Sequence, residues 1–223
     1  MNRRTLIGGT AATAALLAGR GGPASAAPVN VVVFGDSYSA NLPNWVTQLQ
    51  TAGSIGTSRN FAKSGATAAK IGFNHFARQL RLWREAGRPV GNRVAVFLGI
   101  NDILQLAAPQ PQLATYDASK TGYKRGLAEL KAAGANLLLI EPLDLGKVPR
   151  FADDQEDSGP VTSATRTWVR FVRNRGLPVV RLFDVFARLP PNSLPSLFRD
   201  DLHLNQEGNR IVADAVRAML APS

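Results

Sequence analysis

The chain has 223 residues, a formal charge of +10, 45% hydrophobic residues and no cysteine. Without thiols it has neither disulfides nor thiolate chemistry, so its stability must come from packing. Its basic residues are strung along helix-like segments such as Arg78, Arg81, Arg84 and Arg88, which describes a solvated face and excludes a nucleic-acid surface as the leading reading.

The N-terminal stretch has the layout of an export signal. Met1-Asn2-Arg3-Arg4 is a positive n-region, Leu6 to Ala18 an apolar run of small residues, and Ala24-Ser25-Ala26 fits the small-x-small cleavage rule. The run is too short and too rich in Gly, Ala and Thr to span a bilayer, so no stable membrane insertion is expected. Arg3-Arg4 resembles a bacterial twin-arginine signal, with an ordinary Sec signal as the alternative. Removing residues 1–26 takes Arg3, Arg4 and Arg20 and no acid, lowering the formal charge from +10 to +7. Residues 27–223 then form one expected domain, a monomer exported to the periplasm or beyond the cell. Its residual positive charge suits anionic polysaccharide or phospholipid head groups in a general way.

Short apolar runs alternate with helical patterns along this domain. Val29–Phe34 predicts a strand and Pro43–Thr51 a helix opened by proline. Ser58–Phe61 is a weaker strand. Ala68–Glu85 predicts a long amphipathic helix carrying Ile71, Phe76, Leu80 and Trp83 on one face. Arg93–Leu98 follows as a strand, then Tyr116–Ala133 as a helix stopped by Gly134, and Asn136–Ile140 as a strand stopped by Pro142. Phe151–Pro160 is an acidic, polar stretch expected as a solvated loop rather than a metal site. Val161–Arg175, Pro178–Phe183 and Glu207–Leu220 complete the series as helix, strand and helix. Wholly apolar strands separated by helices indicate an α/β fold, a parallel sheet covered on both faces. Active sites of such sheets lie beyond the carboxyl ends of the strands. Ser37, Gly65 and Asn101 all fall there.

Three motifs carry chemistry. Phe34-Gly35-Asp36-Ser37 places a serine on a turn at the end of the first strand. Serine is a poor nucleophile until a neighbouring base takes its proton, and the chain has only two histidines. His203 follows Asp200 by three residues, close enough for the carboxylate to fold back beneath the imidazole within one turn. Asp201 is a second candidate on composition alone. His75, inside the predicted long helix with no nearby carboxylate, is expected to be a structural or surface residue. Gly99-Ile100-Asn101-Asp102 could be a plain turn, but Asn101 can also donate through its side-chain amide to a developing oxyanion. Gly65 and Ser37 can donate to it through their backbone amides.

Gly35-Asp36-Ser37, Gly65, Gly99-x-Asn101-Asp102 and Asp200-x-x-His203 resemble, in order, the four sequence blocks of the GDSL, or SGNH, hydrolase family. The resemblance implies a flavodoxin-like three-layer α/β/α sandwich and hydrolysis of esters without metal or other cofactor. It assigns Ser37 as nucleophile, His203 as base, Asp200 as its partner, and Ser37, Gly65 and Asn101 as the oxyanion hole. Phe34–Ser39, Pro43-Asn44-Trp45 and Asn60–Thr67 look like the plant and fungal type of GDSL esterase, which includes carbohydrate acetylesterases. That branch usually carries aspartate where Ala40 stands and proline where Leu204 stands. The expected substrate is a small-molecule or polysaccharide ester with a short acyl group, acetyl foremost. A lipase or phospholipase, an acyltransferase on the same residues, and a carbohydrate-binding domain with a silent site are the alternatives. No Gly-x-Ser-x-Gly elbow, phosphate loop or dinucleotide fingerprint occurs.

Overall fold

The computed structural model describes residues 29–107, 116–152, 155–190 and 193–220. The expected export segment, residues 1–26, lies outside the described residues, as does Asp153-Asp154 of the acidic stretch.

The apolar runs build one parallel sheet of β1 Val29–Gly35, β2 Ile55–Asn60, β3 Arg93–Phe97, β4 Leu137–Ile140 and β5 Val179–Val180, in the order β2-β1-β3-β4-β5. Val31 to Phe34, Val94 to Phe97 and Leu137 to Ile140 are buried throughout, as residues covered by helices on both faces must be. β1 pairs with β3 from Val31–Arg93 to Gly35–Phe97. On its other side β1 pairs with β2 only as far as Val33–Asn60, so the last two residues of β1 outrun that neighbour.

The strands are linked by α1 Ser37–Ala40, α2 Trp45–Thr51, α3 Phe76–Glu85, α4 Ile100–Ala107, α5 Tyr116–Ala132, α6 Pro149–Ala152, α7 Gln155–Arg173 and α8 Leu182–Ala187, with α9 Gln206–Leu220 last. Right-handed crossovers send α2 to one face of the sheet and α3, α5 and α7 to the other. The helix contacts agree: α2 packs on α9, α3 on α5, and α4 against α5 and α7. The second face carries a chain of buried rings running from Phe34 to Phe76 and Trp83, on to Tyr123, and then to Trp168 and Phe171. Contacts of this kind add about 0.5–1.5 kcal/mol each beyond area burial. The strand order reverses direction between β1 and β3, and the crevice at such a switch point is where α/β sheets bind ligands.

The expected α/β/α architecture is thus observed, but several elements differ from the sequence pattern. The long helix expected over Ala68–Glu85 is helical only from Phe76. Gly72 takes a left-handed φ of +62°, Thr67 bridges His75, and His75 caps α3 by accepting from the Arg78 amide at 3.1 Å. The second helix is opened not by Pro43 but by Asn44, whose side chain and that of Thr47 form a reciprocal capping box. The stretch Phe151–Pro160, expected as a loop, is largely helical in α6 and α7, with Pro160 inside α7. The strand expected over Pro178–Phe183 is cut to Val179–Val180 because Leu182 already begins α8. The strand expected over Ser58–Phe61 instead spans Ile55–Asn60.

Candidate active site

The turn after β1 is held by buried side chains from elsewhere in the fold. Beyond the end of β2 the Lys63 amide still donates to the Gly35 carbonyl at 3.1 Å, and the buried side chain of Gln79 on α3 pairs with both backbone groups of Gly35. Its Oε1 accepts from the Gly35 amide at 3.0 Å, and its Nε2 donates to the Gly35 carbonyl at 2.7 Å. Asp36 caps α1, accepting from the Tyr38 amide at 3.2 Å. Its carboxyl is wholly buried, and Oδ2 has no hydrogen-bond partner among the described residues. Burial raises the Asp36 pKa to about 7, against the opposing pull of the Tyr38 and Ile100 amides, with nearby Asp102 adding to the rise. Ser37 then heads α1, 6% exposed, with its amide at a position that has no intrahelical acceptor. Tyr38 closes the turn: its hydroxyl donates to the Leu202 carbonyl at 2.6 Å, tying this strand end to the segment that carries His203.

The segment after β2 brings Gly65 to the same end of the sheet. Its φ of +71° lies in the left-handed region, which explains glycine here by backbone freedom; the space at its α-carbon is open. The Gly65 amide makes no hydrogen bond among the described residues. At the end of β3, Gly99 turns the chain into α4 with φ +128°, and a Cβ there would fall 2.1 Å from the Trp168 indole nitrogen. That nitrogen donates to the Leu98 carbonyl at 3.2 Å, so a buried ring fixes the entry to α4. Gly99-Ile100-Asn101-Asp102 is therefore a helix start, not a plain turn. Asn101 donates one N–H to the Ala66 carbonyl at 3.0 Å and keeps its second N–H. Asp102, fully buried, accepts from the Ala68 amide at 2.8 Å and the Ala69 amide at 3.4 Å. Burial raises its pKa, against hydrogen bonds from Ser119 and those two amides.

His203 stands on the connection between α8 and α9. Asp200 folds back beneath it, with His203 Nδ1 3.0 and 3.1 Å from its two oxygens. The same carboxylate accepts from the backbone amides of His203 at 2.6 Å and Leu202 at 2.9 Å. Partial burial pushes the Asp200 pKa up, but these amides, the imidazole hydrogen bond and its charge outweigh it and hold the pKa at about 2. Arg199 Nε adds an ion pair at 3.5 Å. The adjacent Asp201 is exposed; its carbonyl accepts from the Arg150 amide at 2.8 Å. With Nδ1 engaged by the carboxylate, the imidazole keeps Nε2 for another partner. Ser37 and His203 line one recess, together with Tyr38, Asn41, Pro43 and Arg199.

All five candidate residues are thus at the carboxyl end of the sheet. Hydrogen bonds link their segments: Asn101 to Ala66 beside Gly65, and Tyr38 beside Ser37 to Leu202 beside His203. The bracing residues Gln79, Tyr38 and Asp102 were not singled out from sequence. Only the capping preference of aspartate before a short helix hinted at Asp36. His75 is structural, as expected. Among the described residues no three His, Asp or Glu side chains are grouped so as to hold a metal ion, and no helix is long and apolar enough to cross a membrane.

Strand order, layering and a site at the switch point define a flavodoxin-like α/β/α hydrolase fold. Residues 33–211 match the model of the GDSL-like lipase/acylhydrolase family, and the chain belongs to that family of ester hydrolases. Solved structures agree on the fold. The acetyl xylan esterase AlAXEase superposes with a TM-score of 0.63 at 20% identity, over 86% of this chain and 100% of that one. Axe2, an acetylxylan esterase from Geobacillus stearothermophilus, gives 0.59 at 18% identity over 87% and 95%. A lipase/acylhydrolase from Enterococcus faecalis gives 0.58 at 18% over 86% and 95%. No curated protein matches the chain.

Proposed function

We propose that this esterase removes short acyl groups, acetyl foremost, from polysaccharide esters, using Ser37 as nucleophile, His203 as base and Asp200 as its orienting acid. The observation that carries the assignment is the Asp200–His203 pair at 3.0 Å, set so that the imidazole and Ser37 share one recess. In this mechanism His203 Nε2 takes the Ser37 hydroxyl proton as Oγ bonds to the ester carbonyl carbon. The carbonyl oxygen becomes negative and accepts from the Ser37 amide, the Gly65 amide and the second N–H of Asn101. As the intermediate collapses, the alcohol leaves with the proton from His203. Water then repeats the sequence on the acyl-serine, releasing the acid and restoring Ser37.

The acetylxylan esterases among similar structures support a short acyl group carried on a polysaccharide. Export, by the segment over residues 1–26, would bring the enzyme to such polymers as a monomer. Since side chains and amides supply both proton transfer and oxyanion stabilisation, chelation should leave activity intact. The test is hydrolysis of p-nitrophenyl esters from acetate to palmitate beside acetylated xylan. Highest kcat/KM on acetate, with acetate released from the polymer, supports the proposal; a maximum at long chains would make the enzyme a lipase.

A further inference from the structure

Phe73 is the most exposed of the large apolar side chains among the described residues, at 78%, and it is not loose. The Arg78 guanidinium carbon lies 3.5 Å from its ring centroid. Arg78 Nη1 also donates to the Phe73 carbonyl at 3.3 Å and to Asn74 Oδ1 at 3.1 Å. One face of the ring is thereby covered by a cation that is itself anchored to the Phe73 backbone, and the other is left to solvent. The ring quadrupole attracts such a cation, which favours one ring orientation.

The place of this ring gives it a use. Asn74, the next residue, donates from Nδ2 to the Ser64 carbonyl at 2.8 Å, and Ser64 precedes Gly65. The Asn74 carbonyl accepts from the Thr67 amide. Phe73 is thus carried on the loop that presents Gly65, at the carboxyl end of the sheet. The polar groups fixed beside it are the Arg78 guanidinium and the Asn74 side chain. Among the described residues the other exposed large apolar side chains, Leu42 and Met219, lie elsewhere in the sequence. A membrane or long acyl chain calls for contiguous apolar area, whereas a pyranose ring offers one flat C–H face edged with hydroxyl groups. A single fixed aromatic face with hydrogen-bonding neighbours matches the second.

We infer that Phe73, held from beneath by Arg78, is a stacking platform for a sugar unit of the polymer whose ester enters the Ser37 recess. This rests on the polysaccharide-ester proposal above and adds the residue that grips the chain. Phe73→Ala should raise KM for acetylated xylan about five- to tenfold, with kcat and both constants for p-nitrophenyl acetate within about twofold of the parent. Phe73→Trp should restore the parent KM. The thermal midpoint of each variant should be unchanged, because the ring is exposed. An unchanged polymer KM in Phe73→Ala overturns the inference while leaving the polysaccharide proposal standing. A parallel rise for polymer and p-nitrophenyl acetate also overturns it, since the ring would then shape the acyl site. So does binding of the parent, but not of Phe73→Ala, to phosphatidylglycerol vesicles, which would make the ring a membrane contact. A parent enzyme that cleaves p-nitrophenyl acetate yet frees no acetate from the polymer refutes the proposed function and this inference together.

Discussion

Asp36 and Asp200 stand beside the two ends of the proposed proton path, and their surroundings push them in opposite directions. Asp36 is buried with one oxygen unpartnered, and its pKa rises to about 7. Asp200 is 44% exposed at its side chain, accepts from two amides and the imidazole, and falls to about 2. The difference separates two ways of building half a site. The turn that carries Ser37 is fixed by buried braces drawn from distant elements: Gln79 on Gly35 and Tyr38 on Leu202. The Asp200–His203 half is assembled within four residues on an exposed connection by local hydrogen bonds. Damage to the first half should therefore be felt mainly in folding, and damage to the second mainly in chemistry.

The largest effect expected on this comparison is that of Asp200→Asn, which removes the charge that orients the imidazole and stabilises its protonated form. Its kcat should fall about 10³- to 10⁴-fold, an effect larger than its cost in stability. Asp201→Asn should match the parent in steady-state kinetics, and if it were the inactive member of the pair, the assignment of Asp200 would be reversed. Because the folded pKa of Asp200 is depressed, its contribution to stability is present above about pH 4 and is lost as pH falls toward 2.

Asp36 should behave with the opposite sign. A carboxyl whose folded pKa is about 7 binds its proton more tightly in the native state. Its favourable contribution is complete below about pH 4 and disappears as pH rises through 7, on the order of 4 kcal/mol in all. Denaturant unfolding at pH 5 and pH 8 would show somewhat more than half of that loss in the parent and a flatter profile in Asp36→Asn. Equal slopes in the two proteins would mean that Asp36 is ionised throughout.

Asn101→Ala comes next, lowering kcat about 10²- to 10³-fold, or roughly 2.7–4 kcal/mol, at nearly constant KM. A change confined to KM would assign Asn101 to ground-state binding. Smaller again is Gln79→Leu, which leaves the Gly35 amide and carbonyl without their side-chain partner. It should cost about 1–3 kcal/mol of stability, visible as a lower denaturation midpoint. A variant as stable as the parent would show that the Gln79 brace is not needed to hold the turn.

The same contrast explains what could be read from the sequence. The Asp200–His203 half depends on contacts three residues apart, so its spacing alone predicted the fold-back now seen at 3.0 Å. Apolar runs such as Val31–Phe34 and Leu137–Ile140 marked central strands because they are buried on both faces. The braces were hidden because they join residues far apart in sequence: Gln79 lies 44 residues from Gly35, and Tyr38 lies 164 from Leu202. Gln79 in particular sits within an amphipathic helix, where nothing local distinguishes a buried glutamine from a solvated one. Helical spacing also misled over Ala68–His75, where Ile71 happened to fall in phase. Gly72 and Asn74 were the signals against a helix there. The short helices α1, α4 and α8 gave too few turns for a period to emerge.

The most direct test of the Ser37–His203–Asp200 assignment is labelling by a fluorophosphonate followed by peptide mapping, on the parent, Asp200→Asn and Asp201→Asn. The assignment predicts that the phosphonyl group is found on Ser37, attached rapidly in the parent and Asp201→Asn and much more slowly in Asp200→Asn. A label on Ser39 or Ser64, or equal rates in all three proteins, would contradict it.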